Sequence, residues 1–240
     1  MGMPSRLFRS LQLGLWRQPV DGPFNTRLYG DALDGTFQMI VRNAYGNFTY
    51  DALKAADPAS TFLDIGANIG LYSVALGTHF SGPKFAFEPN PVTFGHLQAN
   101  LAQAGLDQTN AICAGIAGED VASATLNLKR FHSGAASLVS EFGHRSRRIS
   151  LVGPTMMHAL VPASAPVACK IDVEGAEAGV IACLAQSGLL ARCEHLVIEM
   201  SLGTNSEDDL AAIRQTLRMA GLVLQDRSGS DHFGDELYTR

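Results

Sequence analysis

The sequence predicts an α/β fold built on a mostly parallel, doubly wound sheet. Three observations carry that expectation. Short apolar runs alternate with helix-periodic segments from Thr61 to the C-terminus, the first run ends in a glycine-rich turn at 64–70, and the second and fourth runs end on the acids Glu88 and Asp172. Strands that alternate with helices need crossover connections, which cover both faces of a parallel sheet. Ligands of such sheets bind beyond the carboxyl ends of the strands, where these acids stand.

Each element has its own signal. Residues 1 to about 20 read as helical, 19–25 as a loop, 37–42 as a short strand and 51–56 as a short helix closed by Asp57-Pro58. Residues 1–58 are expected to form an N-terminal helical extension or cap, and 59–240 the sheet domain. Thr61-Phe62-Leu63-Asp64-Ile65 is a buried strand, being a short apolar run bounded by a turn. Helical sequence follows from Gly70 to about His79, and 84–88 is the second strand. Asn90 caps the next helix, with Pro91 at its first position, where the missing N–H costs nothing. Phe94, Leu97, Leu101 and Ala104 give that helix one apolar face, and Gly105 ends it.

Residues 110–114, 167–171 and 195–200 supply the third, fourth and fifth strands, with a helix from the fourth to about Gly188. Ser206 caps the last helix, whose acids Glu207, Asp208 and Asp209 sit at its positive end and whose Arg214 and Arg218 lie toward its negative end. Leu210, Ile213, Leu217 and Ala220 form its core stripe, and Gly221 stops it. Residues 222–225 and 236–239 read as the last two strands. Residues 119–166, with Gly134, Gly143, Gly153, Pro154 and Pro162, break the rhythm and read as an irregular functional insertion.

Length and composition bound the function. A chain of 240 residues with 46% hydrophobic content suits one α/β domain plus an extension. A formal net charge of −5 argues against a general nucleic-acid binder, which needs a basic face to neutralise phosphates. Cys113, Cys169, Cys183 and Cys193 form no C-x-x-C pair and no His flanks them at ligand spacing. They read as reduced, mostly buried thiols of a cytoplasmic protein rather than a zinc site. Arg6 and Arg9 precede Leu11, Leu13, Leu15 and Trp16, but Gln12, Gly14 and Arg17 break the run and no small-residue cleavage site follows, so a signal peptide is not expected. No stretch reaches the roughly 20 apolar residues that span a bilayer. An amphipathic helix packed on the domain, or on a membrane surface, fits the first 20 residues.

The chemistry concentrates at three strand ends. In Asp64-Ile65-Gly66-Ala67-Asn68-Ile69-Gly70, Gly66 can adopt angles closed to other residues, and its missing Cβ lets a ligand approach the main chain. The N–H groups of the following helix can meet a carboxylate or phosphate. The G-x-x-x-G spacing differs from the G-x-G-x-x-G of dinucleotide sites, and Asp64 suits the ammonium of an amino-acid moiety. Glu88, ending the second strand, can accept hydrogen bonds from both hydroxyls of an unphosphorylated ribose, a feature nicotinamide sites share. In Lys170-Ile171-Asp172-Val173-Glu174-Gly175-Ala176-Glu177, alternation puts Lys170, Asp172 and Glu174 on one side. Such charges beside an apolar strand are either paired, as Lys170 with an acid, or functional.

The three motifs, with Asp-Ile-Gly-Ala-Asn-Ile-Gly-Leu-Tyr-Ser at 64–73, Glu-Pro-Asn-Pro at 88–91 and the 170–177 stretch, together resemble the FkbM-type methyltransferases over about residues 60–200. The resemblance implies a class I, Rossmann-like fold of seven strands, the seventh antiparallel. It implies S-adenosylmethionine as methyl donor and, most often, a hydroxyl acceptor on a sugar, polyketide or other secondary metabolite. By position, Asp64, Gly66, Ala67, Asn68 and Gly70 would hold the methionine part, and Glu88 the ribose with Pro89 and Asn90 beside it. Ala117, in Ala117-Gly118-Glu119, would border the adenine. The 119–166 stretch would then be the acceptor side.

A hydroxyl acceptor needs a proton acceptor nearby. Asp172 and Glu174 are best placed, and His132 and His144 join them if the insertion folds over the site. Asp172 and Glu199, ending adjacent strands, could instead hold Mg²⁺ with substrate hydroxyls. Lys129, Arg130, Arg145, Arg147 and Arg148 make the insertion basic, either as a solvated loop or for an acidic acceptor. The expected partner is a small molecule, not nucleic acid. The competing classes are a nicotinamide-dependent oxidoreductase and a non-catalytic binding module on a degenerate fold.

Overall fold

The computed structural model describes residues 18–138, 145–163, 165–230 and 232–240. The helix expected over 1 to about 20 lies essentially outside the described residues, as does His144. The described chain begins with a two-residue antiparallel ladder, β1 (Val20–Asp21) with β2 (Arg27–Leu28). Two short helices follow, α1 (Gly35–Val41) and α2 (Phe48–Lys54).

Helix α1 replaces the strand expected over 37–42. The Asp34 carboxylate accepts the Phe37 N–H at 3.1 Å, capping the helix, and Thr36, Phe37 and Ile40 are buried with helical spacing. Periodicity over six residues did not separate the two states; the cap decides it. Phe37 and Ile40 pack with Leu28, Ile69 and Leu71, while Ala52 and Leu53 of α2 pack with Phe62, Phe80, Ala168 and Val197.

The main sheet begins with β3 (Thr61–Ile65), buried along its whole length. Helix α3 (Leu71–Ala75) leads to β4 (Lys84–Phe87), then α4 (Pro91–Gln103) and β5 (Asn110–Ile112). Helix α3 stops four residues short of the expected end. Asn90 caps α4 as expected, accepting from Val92 N at 3.2 Å.

The described residues of the 119–166 stretch hold more regular structure than the sequence suggests. After β6 (Gly115–Ile116), strands β7 (Ser123–Asn127) and β8 (Ser146–Val152) pair antiparallel. Helix α5 (Pro154–Leu160) follows. Leu126, Ile149 and Leu151 form a small core beneath this pair. The long connection between β7 and β8 hides a hairpin from reasoning that looks for short turns.

The chain re-enters the main sheet with β9 (Val167–Ile171), α6 (Glu177–Gln186) and β10 (Cys193–Ser201). It ends with α7 (Glu207–Met219), β11 (Val223–Arg227) and β12 (Phe233–Thr239). Ser206 and Asp209 cap α7 reciprocally, side chain to backbone in both directions.

Among the described residues the main sheet has seven strands in the order β11-β12-β10-β9-β3-β4-β5. The pairs from β10 to β5 are parallel, and β12 runs antiparallel between β10 and β11. The seventh strand is therefore the antiparallel one, as expected. Cys169, Cys183 and Cys193 are buried, Cys113 is half-buried, and none forms a disulfide. No helix among the described residues is long and apolar enough to cross a membrane. Strands β3 and β9 are neighbours whose crossovers diverge, toward β4 on one side and β10 on the other. That divergence opens a crevice at their carboxyl ends.

Candidate functional site

The crevice holds a cavity of about 250 Å³, near the lower end of ligand pockets (about 300 Å³). Its floor is the turn after β3. Gly66 adopts φ +75°, and a Cβ there would collide with the carbonyl oxygen of Asp172. The missing side chain thus serves the close approach of two strand ends, and Gly66 also lines the cavity. The turn also offers no row of free amides. Gly66 N and Ala67 N donate to Phe87 O at 3.0 and 2.9 Å, and Asn68 N to Glu88 Oε2 at 3.0 Å. Ile69 N donates to Asn68 Oδ1 at 2.8 Å and Gly70 N to Ala67 O at 2.8 Å. A phosphate would find these donors already used.

Glu88 is buried at the end of β4. One oxygen accepts from Asn68 N, the other from Asn90 N at 2.8 Å. Each keeps a lone pair for a further donor. Burial pushes its carboxyl up to about 7, against the pull of the two amides and Lys170.

Lys170 is the charge centre of the site. Its buried ammonium donates to Gly66 O at 2.7 Å and stands 3.3 Å from Asp172 Oδ2 and 3.7 Å from Asp64 Oδ1. Burial alone would lower its pKa; the Asp172 and Asp64 carboxylates outweigh that and hold it charged. The pairing foreseen for Lys170 is thus present, with two acids rather than one. Asp64 is wholly buried, accepts from Ser73 Oγ at 2.6 Å and leaves Oδ1 without a hydrogen-bond donor. Desolvation raises its pKa.

Asp172, Glu174 and Glu199 converge on the cavity. One carboxylate oxygen from each lies within 4.8 Å of the other two. Burial, then the neighbouring Asp172, pushes Glu174 up to about 7; the same causes with Glu174 and Asp235 push Glu199 up to about 9. Glu174 sits at φ +53°, and its carbonyl accepts from Ser137 Oγ at 2.7 Å. Glu177 serves the fold, bonding Gly175 N at 3.1 Å and Asn205 Nδ2 at 2.9 Å.

The opposite wall comes from the N-terminal part. Asp34 accepts from Ser133 N at 2.7 Å and from Ser133 Oγ at 3.1 Å, while Thr36 Oγ1 accepts from Gly134 N at 2.8 Å. Thr36 Oγ1 also meets His132 Nδ1 at 3.1 Å, which fixes that ring at the cavity lip. Asn68 Nδ2 reaches Ser133 Oγ at 3.3 Å.

Of the residues foreseen from sequence, Gly66, Ala67, Asn68, Glu88, Pro89, His132, Asp172, Glu174 and Glu199 line the cavity. Asp64, Gly70, Asn90 and Ala117 do not. Asp64 lies beneath the turn and reaches the cavity through Lys170. Gly70, at φ +90°, begins α3 with its α-carbon facing Leu97. Asn90 is spent on capping α4, and Ala117 packs under the β7–β8 pair, leaving Gly115 and Ile116 at the cavity. Sequence reasoning missed Thr36, Tyr45, Tyr72 and Phe233, which also line it. Tyr72 carried a signal, standing inside the first motif; its ring lies 5.8 Å below the Lys170 ammonium. Tyr45 and Phe233 follow no periodic pattern.

The family model for the methyltransferase FkbM domain matches residues 64–224. The chain belongs to the FkbM methyltransferase family. It is therefore a methyltransferase with S-adenosylmethionine as methyl donor. The match spans both wings of the cavity, from the turn after β3 to the start of β11. No curated protein matches the chain. Among solved structures, a putative rRNA methylase from Clostridium thermocellum aligns with TM-score 0.51 at 10% identity, covering 81% of this chain and 93% of that one. It is similar in fold. A precorrin-6y C5,15-methyltransferase from Geobacter metallireducens GS-15 aligns with TM-score 0.44 at 15% identity, covering 80% and 82%.

The cavity suits that methyl donor. Glu88 offers acceptor lone pairs suited to a ribose diol, and the acidic surroundings favour a cationic sulfonium. The used-up amides of the turn disfavour the pyrophosphate of a nicotinamide dinucleotide.

Proposed function

We propose that this FkbM methyltransferase methylates a hydroxyl on a small acceptor, such as a sugar or other hydroxylated metabolite, with Asp172 as proton acceptor. The supporting observation is the convergence of Asp172, Glu174 and Glu199 beside the turn and Glu88. Methyl transfer is an in-line displacement. The acceptor oxygen bonds the methyl carbon as the carbon–sulfur bond breaks, and the hydroxyl proton leaves to a base. Bound S-adenosylmethionine supplies the electrophilic methyl. Glu88 holds the ribose, with Ala67, Asn68 and Pro89 beside it, and Asp64 orders Lys170 from below. Lys170 keeps Asp172 oriented through their 3.3 Å ion pair. Glu174 and His132 are the alternative proton acceptors. Residues 18–58 act as a cap that, with residues 132–134, excludes water.

A divalent cation is a second reading, favoured by the carboxylate cluster. Asp172 and Glu199, with Glu174 as third donor, offer the hard oxygens that Mg²⁺ takes. The ion would orient the acceptor hydroxyl and favour its ionised form.

The deciding experiment incubates the protein with S-adenosylmethionine and a panel of hydroxylated acceptors. Mass spectrometry follows the gain of one CH₂, and NMR locates the new methyl. An O-methyl product, with turnover lost in Asp172→Asn, supports the reading. A methyl on nitrogen or carbon overturns it.

A further inference from the structure

A second groove of about 650 Å³ adjoins the cavity and shares His132, Ser133 and Ala136 with it. Lys129, Arg130, Arg145 and Arg147 line it. In the strand register Arg147 stands opposite Leu126, and Leu128 N donates to Arg145 O at 2.9 Å. Residues 145 and 147 are two apart on an extended chain, so both forks leave the same face of the hairpin. Among the described residues neither arginine has an ion-pair partner. The first turn of α4, with Val92 and Thr93, opens into the same groove and adds the positive end of a thirteen-residue helix.

The groove's acids are Asp31 and Asp34, and both are engaged by the backbone. Asp31 accepts from Leu33 N at 2.8 Å, and Asp34 caps α1 and holds Ser133. A chain of net charge −5 thus concentrates four cations beside a site whose other side is acidic. Solvated basic loops do not need a groove, a helix end and a shared lip with a cofactor cavity. Guanidinium forks match phosphate oxygens two at a time.

We infer that this groove binds a phosphoryl group of the acceptor, placing the hydroxyl-bearing part past His132 and Ser133 in the cavity. The acceptor class is then a phosphorylated, hydroxyl-bearing small molecule such as a sugar phosphate. The inference rests on the hydroxyl-methylation reading. Arg145 and Arg147 stand together in this one groove, a local patch against the long basic face that a nucleic acid requires.

The test is titration calorimetry on the full chain saturated with S-adenosylhomocysteine, at low salt. The probes are glucose 1-phosphate, glucose, glucuronate and a short single-stranded RNA. Glucose 1-phosphate should bind at least tenfold more tightly than glucose. The double variant Arg145→Gln/Arg147→Gln should lose that tenfold while binding S-adenosylhomocysteine as before, which also shows that it folds. Equal binding of glucose and its phosphate overturns the inference, as does an unchanged double variant. Tighter binding of glucuronate replaces phosphate by carboxylate and overturns the phosphoryl assignment. RNA binding without glucose 1-phosphate binding overturns the small-molecule form. Failure of the hydroxyl reading looks different: the phosphate probe binds, and the methylated product carries its methyl on nitrogen or carbon.

Discussion

Gly66 and Asp172 meet main chain to main chain: the α-carbon of the one faces the carbonyl oxygen of the other so closely that no Cβ fits between them. The contact joins the carboxyl ends of β3 and β9, and the Lys170 ammonium fastens it by donating to Gly66 O. Gly66→Ala should therefore cost about 3 kcal/mol or more of stability, from a forced strand displacement and a strained positive φ. Urea unfolding checks this through the midpoint. A variant as stable as the parent that fails only to bind S-adenosylhomocysteine would show the glycine to be reserved for the ligand.

Glu88 sets a pH dependence. With its carboxyl pushed up to about 7, it is mostly protonated below that pH and accepts fewer hydrogen bonds. Affinity for S-adenosylhomocysteine should rise as pH increases toward about 7, by up to tenfold per unit, and then level off. Stability of the free protein should move the other way. The folded state holds the Glu88 proton more tightly than the unfolded chain, whose pKa is near 4.5, so this residue's contribution falls as pH rises from about 4.5 to 7. Glu88→Gln should flatten the affinity trend and lessen the fall in stability, to which the raised carboxyls of Glu174 and Glu199 also contribute. Calorimetry and thermal melts across pH 5 to 8 (roughly the span of the shift) follow them together.

Asp172→Asn should lower turnover by roughly 10²-fold and leave S-adenosylhomocysteine affinity nearly unchanged. Asp64 remains beside Lys170 in this variant, so the ammonium is not orphaned and the fold should survive. Lys170→Met removes the shared partner of two acids and should destabilise by about 3–5 kcal/mol. Comparing kcat with unfolding midpoints separates the two effects. A well-folded Asp172→Asn enzyme with parental kcat rules out both a base and a ligand role.

The cation reading makes its own demand. EDTA should abolish activity, Mg²⁺ should restore it, and Glu199→Gln should mimic Asp172→Asn. Full activity in EDTA, after exhaustive dialysis, leaves proton transfer as the role of the carboxylates.

Asp34 ties α1 to the lip of the cavity. Asp34→Ala removes a helix cap and both bonds to Ser133, so stability should fall by about 1–2 kcal/mol. If residues 18–58 close the site, KM for the acceptor should rise as well. An unchanged KM with lowered stability would confine Asp34 to a capping role.

The alternation of apolar runs and helical stretches was enough to determine the parallel sheet, because strand and helix periods differ and each long element repeats its own several times. The caps at Asn90 and Ser206, and the acids Glu88 and Asp172 at strand ends, were legible for the same local reason; Glu199, expected at a strand end, lies two residues inside β10. Helix α1 was not: seven residues carry too few repeats, and its cap competes with other uses of an aspartate. The β7–β8 hairpin was hidden because its partners are separated by a long connection, and pairing across such a gap leaves no local mark. Tertiary structure alone decided which motif residues face the cavity. Asp64, Gly70, Asn90 and Ala117 stand in the right stretches of sequence but turn to Lys170, Leu97, the first turn of α4 and the β7–β8 core, while Thr36, Tyr45 and Phe233 reach the cavity from distant elements. A strand end fixes where a residue stands. Where its side chain goes depends on the partners that satisfy its charge and volume, and those come from elsewhere in the chain.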